Sequence, residues 1–147
     1  MKEALIAFVV CLFIGAALNA MPGMSIALKP AETPAQVTPA GGPIPNTSDA
    51  TFSSEVVGSP GVVVVDCYSD SCVPCKMFEP TVERVAAQFT GRAKFYRLDV
   101  DRNMTVRENY AVNTIPTLLI FKDGHKVDQY TGLMPEKDFQ QAVSKLI

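Results

Sequence analysis

Residues 62–68 read VVVVDCY, and valine fills every position from 62 to 65. A strand with one wet face alternates apolar and polar residues, whereas this run is apolar on both faces. It therefore requires a central strand with a layer packed on each side, the arrangement of an α/β domain. Asp66 interrupts it with a carboxylate just before the strand ends.

The flanking patterns supply the layers. Cys75, Phe78, Val82, Val85/Ala86 and Phe89 recur at helical spacing, with Pro80 as an expected kink. AKFYRLDV (93–100) reads as a second strand, followed by a short helix at about 104–110. TLLIFK (117–122) and KVDQYT (126–131) form a hairpin around Asp123-Gly124. Pro135 suits a first helical position, with Glu136 and Asp138 in the first turn and Phe139, Val143 and Leu146 on the apolar face. Upstream, Ser48 or Asp49 can cap a short helix that runs to about Val57 and stops at Gly58-Ser59-Pro60. The expected fold is one α/β domain over residues 48–147, a small mixed sheet with helices on both faces.

The residues before it have another character. From Ala4 to Leu28 there is no charge, and Leu5 to Leu18 is almost wholly apolar. Residues 1–20 read as a signal peptide or as an uncleaved signal-anchor helix. Residues 4–20 as a helix would span roughly 25 Å, slightly short of the ~30 Å hydrocarbon core. Cys11 is an apolar filler of that run. Residues 21–47 form a Pro/Ala-rich tether, and positions 29–47 hold five prolines, two glycines and no aromatic residue. Such a chain is semi-stiff and reaches ~60 Å when extended. The folded domain is thus expected outside the cytoplasm, in a periplasm or cell envelope, either secreted or held at the membrane.

A net charge of −2 with scattered basic residues argues against nucleic acid as the main partner. Four cysteines are too few for a disulfide-stapled scaffold. Cys72 and Cys75 stand three apart where the strand gives way to the helix. A thiolate zinc site needs four ligands, usually two such pairs, and the chain has one pair and one histidine, His125. A structural staple closing so short a loop gains little chain entropy. Redox cycling fits better. Residues three apart on a helix lie about 5–6 Å apart, within disulfide reach. A first cysteine at a helix N-terminus is favoured as thiolate, and a second one turn in is more buried, as a resolving thiol should be.

Four separated matches give the chain from about Ser48 onward a further meaning: Asp66, Cys72-Val73-Pro74-Cys75-Lys76, Ile115-Pro116-Thr117 and Gly132. With these the chain resembles the thioredoxin family. The resemblance implies the thioredoxin fold, with Cys72 as attacking nucleophile, Cys75 as resolving thiol and a buried Asp66 that takes the Cys75 proton. It also implies a cis Ile115–Pro116 peptide beside the disulfide. Val73, Pro74, Ile115 and Pro116 would then face the substrate, the backbone near Ile115 pairing with its chain. No cofactor or metal is implied. Where the family commonly has WCGPC, this chain has Ser71-Cys72-Val73-Pro74-Cys75, and it has no tryptophan. Ser71 removes an apolar wall beside the nucleophile, and Val73 stiffens the loop. A first edge strand is hard to find, Pro43–Asn46 being a poor candidate.

The remaining polar residues read as structural. Arg97 is a solvated or Asp-paired strand charge, Asp99 and Asp101 are strand-end and helix-capping residues, and His125 is a turn residue. Cys67, on the strand face opposite Asp66, reads as a small core hydrophobe. The expected function is a thiol–disulfide oxidoreductase that reduces protein disulfides and draws electrons from a membrane dithiol carrier. The alternatives are a disulfide oxidase or isomerase, and a binding module without turnover.

Overall fold

The computed structural model describes residues 42–147. The expected signal or anchor segment, and the tether as far as residue 41, lie outside the described residues. Four strands, β1 (Val62–Tyr68), β2 (Ala93–Asp99), β3 (Thr117–Lys122) and β4 (His125–Thr131), form one sheet in the order β2-β1-β3-β4. β1 pairs parallel with β2 and antiparallel with β3, and β4 closes the β3 hairpin as an exposed edge. The helices are α1 (Ser53–Val57), α2 (Val73–Gln88), α3 (Met104–Asn109) and α4 (Glu136–Ser144).

Strand alternation divides the core in two. Val62 and Val64 of β1, Ala93 and Phe95 of β2, and Leu118 and Ile120 of β3 pack with Phe78, Val82 and Val85 of α2 and Phe139 and Val143 of α4. Val63, Val65 and Cys67 point the other way, into Phe52, Val56, Leu98, Val106 and Phe121. The all-valine run is thus covered on both sides, as its composition requires. Counting on from Val64, Asp66 lies on the α2 face, and counting on from Phe95, Arg97 lies there too. That count positions the site.

Several local expectations need correction. Asp49 does not cap α1; its carboxylate accepts from the Thr105 and Val106 amides (3.0 and 2.9 Å) and caps α3 across the fold. The Asp49 amide in turn donates to Asn103 Oδ1 at 2.8 Å. Asp101 does not cap α3 either; it accepts from Ser69 Oγ. Pro135 stands just ahead of α4, which begins at Glu136. The folded unit also begins before Ser48. Ile44 packs against the α2-side core, the Arg97 amide donates to Pro45 O (2.9 Å), and the Thr47 amide donates to Arg97 O (2.8 Å). The edge strand is reduced to one parallel bridge, Asn46 to Arg97, because Pro43 and Pro45 have no N–H to extend it.

One turn shows why its residue type is fixed. Gly124 has φ +80°, and a Cβ there would meet Val57 O at 2.1 Å, so the hairpin tip passes under the end of α1 only as glycine.

Candidate active site

β1 carries Asp66, leaves the sheet at Tyr68 and turns through Ser69–Ser71 into Cys72, the N-cap of α2. Cys72 and Cys75 are disulfide-bonded with Cα atoms 5.3 Å apart. The Cys75 amide, one of the helix's unpaired first-turn donors, donates to Cys72 Sγ at 3.2 Å. Pro74 has no amide, so Cys75 supplies the donor that the sequence reading does not count. Cys72 is half-buried while Cys75 is only 2 % exposed. The outer sulfur is therefore the one a substrate can reach, and the inner one is sheltered.

Asp66 is 2 % exposed, and its carboxyl is pushed up to about 6. Burial is the main cause; Arg97 pulls the value down and Glu79 pushes it up. Arg97 Nε lies 3.6 Å from Asp66 Oδ2, while Nη1 bonds Glu79 Oε1. The Asp-paired reading of Arg97 holds, and Glu79 joins it. Sequence periodicity marks Glu79 only as a partly exposed helix position. The signal that points to it is spacing: it lies one turn beyond Cys75, on the helix that covers the Asp66 and Arg97 face. Cys67, on the opposite face, is a free and fully buried thiol, pushed well up by burial and then by the Asp66 charge. It is the core hydrophobe its position suggests.

The Ile115–Pro116 peptide is cis. Pro116 O accepts from the Gly132 amide at 2.8 Å, and Thr117 Oγ1 donates to Thr114 O at 2.6 Å, so this loop is tied to the end of β4. Ile115 is half-buried against the second core, and Val73 and Pro74 are exposed. Ser71 enters a polar ladder instead of leaving a gap. Its amide donates to Ser69 Oγ (3.3 Å), its hydroxyl lies 3.0 Å from that oxygen, and Ser69 Oγ donates to Asp101 Oδ2 (2.5 Å). Sequence reasoning did not single out Ser69, whose partner is 32 residues away.

The family model for Thioredoxin matches residues 43–145. The chain belongs to the thioredoxin family.

The thioredoxin of Staphylococcus aureus strain Mu50 is 40 % identical over 102 residues, covering 69 % of this chain and 96 % of that one. The same values hold for the protein of strain MW2. Among solved structures, a single-substitution mutant thioredoxin from Halobacterium salinarum NRC-1 superposes with a TM-score of 0.65 at 32 % identity, over 73 % of this chain and 92 % of that one. The fold is the thioredoxin fold, and the Cys72/Cys75 pair makes this thioredoxin-family protein a thiol–disulfide oxidoreductase, a protein-disulfide reductase.

Proposed function

We propose that this protein reduces protein disulfides outside the cytoplasm, with Cys72 as nucleophile, Cys75 as resolving thiol and Asp66 as proton acceptor. The observation that carries the reading is the asymmetry of the pair: a half-buried Cys72 at the start of α2 and a buried Cys75 one turn in. Cys72 thiolate attacks one sulfur of a substrate disulfide and expels the other as thiolate. Cys75 gives its proton to Asp66 and attacks Cys72 Sγ, releasing the second substrate thiolate and closing the Cys72–Cys75 bond. Two electrons pass to the substrate, and the disulfide-bonded form is the product state.

Protein substrates suit the surroundings. Val73 (65 % exposed) and Met77 (67 %) offer apolar contact on the first turns of α2, and Leu133 (57 %) does so beside Gly132. Ile115 is half-buried and Pro116 buried at a bend, so Ile115 offers the remaining surface for a substrate chain. The sequence ahead of the domain supports the setting: an apolar segment over residues 1–20 and a proline-rich tether over 21–47 suit export, tethered or released. A reductant working there draws its electrons from a membrane dithiol carrier.

Insulin-type disulfide reduction by the full-length protein tests the activity: Cys72→Ser abolishes it, and Cys75→Ser traps a mixed disulfide at Cys72. Equal activity in Cys72→Ser would overturn the reading. Fractionation of native cells after a high-salt wash tests the setting, and recovery in the cytoplasm would contradict it.

A further inference from the structure

Asp66, Arg97 and Glu79 come from three elements, β1, β2 and α2, and Asp66 sits opposite Arg97 in the parallel register. An arginine next to a buried carboxylate ordinarily closes on it with two parallel hydrogen bonds. Here it does not. Arg97 Nε stops 3.6 Å from Asp66 Oδ2, and both Nε and Asp66 Oδ1 lack a hydrogen-bond partner among the described residues. The guanidinium is held from two other sides. Nη1 is bonded to Glu79, and its central carbon lies 4.1 Å from the centre of the Tyr68 ring.

We propose that Glu79 is a positioning residue that holds Arg97 back from Asp66, keeping one carboxylate oxygen free to take the proton of Cys75. This rests on the reading of Asp66 as proton acceptor. The two carboxylates compete for one guanidinium, and the outcome sets the pH range in which Cys75 is deprotonated. A closed Arg97–Asp66 pair would occupy the accepting oxygens and make the carboxylate a weaker base. With Glu79 in place, Arg97 contributes its charge without its hydrogen bonds. Few other groups can compete. From α2 the Glu79 charge acts on Asp66, and from β2 that of Arg97; Cys75 is the other titratable group on the buried face of α2. The β3 partner of Asp66, Leu118, is apolar, as are Phe139 and Val143 of α4. Cys67 points to the opposite face, and Tyr68 is engaged by Arg97. Glu79 also acts on Asp66 directly through its own charge, which raises it while that of Arg97 lowers it; the positioning role is the part that needs the guanidinium.

The test follows Asp66 directly, by carboxyl carbon NMR of the oxidised full-length protein in mild detergent, alongside the pH profile of turnover. Glu79→Ala is expected to lower the Asp66 midpoint by about one pH unit, and Arg97→Gln to raise it by a similar amount. In the Arg97→Gln background Glu79→Ala keeps only the direct effect of its charge and shifts the midpoint less, because the positioning effect acts through the guanidinium. The turnover profile of each variant moves with its midpoint. An unmoved midpoint in Glu79→Ala, or equal effects of Glu79→Ala with and without Arg97, overturns the role of Glu79. Unchanged turnover in Asp66→Asn overturns the proton-acceptor reading, and the inference falls with it. The two failures are distinguishable because the titration reads Asp66 whether or not turnover depends on it.

Discussion

Asp66 and Cys67 are neighbours in β1, both hidden from water, and opposite in surroundings. Asp66 faces α2, where Arg97 and Glu79 bring charge into a buried layer. Cys67 faces the other core, among Val65, Leu98 and Leu119 with Thr117 opposite it on β3, all uncharged. Both are raised by burial, but only Asp66 has a cation that brings its ionised form within reach near neutral pH. Burial alone silences a titratable group. Burial with a partner held at a distance keeps it titratable near neutral pH.

The largest contrast to break is between thiols. In the reduced protein Cys72 is expected to react with iodoacetamide roughly a thousandfold faster than Cys67, which must wait for opening of the core. Mass spectrometry of labelled peptides over time decides it. Comparable labelling of Cys67 would show that the two faces are not different in kind.

Stability separates the faces by a smaller amount. Burial pushes the Asp66 carboxyl up from the ordinary 3.8 to about 6, so the folded state holds its proton more tightly. Stability therefore falls as pH rises through that window, and above it the ionised group costs on the order of 3 kcal/mol. Denaturant unfolding of Asp66→Asn should show a gain of about that size near pH 8 and little gain near pH 3. A gain that persists at acid pH would mean that packing, not charge, is responsible.

On the other face, Cys67→Ser places a hydroxyl in a dry core and should cost about 1–3 kcal/mol with turnover unchanged. A loss of turnover in a folded variant would give Cys67 a chemical role and dissolve the contrast.

How much of this was legible in the sequence depended on distance along the chain. The valine run, the α2 spacing and the Asp123-Gly124 hairpin are local signals, and each appears where its pattern puts it. Asp66 and the cysteine pair stood out because their chemistry conflicts with their surroundings. The polar links between distant segments were not legible: Glu79 with Arg97, Ser69 with Asp101, Asp49 with the α3 amides. Periodicity says which face a residue takes, but not which charge from another element waits there. The edge strand was obscured for a different reason, since two prolines reduce it to a single bridge.

The smallest effect tests one of those distant links. The α3 amides outweigh the cost of burial and hold Asp49 below the ordinary carboxylate range. Asp49→Ala should cost about 1 kcal/mol at neutral pH. Because the folded value is the lower one, that contribution is present above pH 3.8 and fades as pH falls through the folded value. Urea titrations at neutral and acid pH check this, and a pH-independent cost would mean that the carboxylate is not the cap.

The central claim is that Cys72 and Cys75 form a reducing pair, and its reduction potential tests that claim most directly. The helix terminus and the Cys75 amide stabilise the Cys72 thiolate, while Pro74 withholds an amide and no histidine stands between the cysteines. Moderate stabilisation of that kind belongs with a potential of about −270 mV, the value of thioredoxin itself. Equilibrating the full-length protein in thiol buffers of known ratio, then counting alkylated Cys72 and Cys75 by mass, gives the number. A value of about −270 mV is predicted. A value above about −180 mV, where disulfide isomerase lies, would contradict the reductant account and favour an oxidase or isomerase.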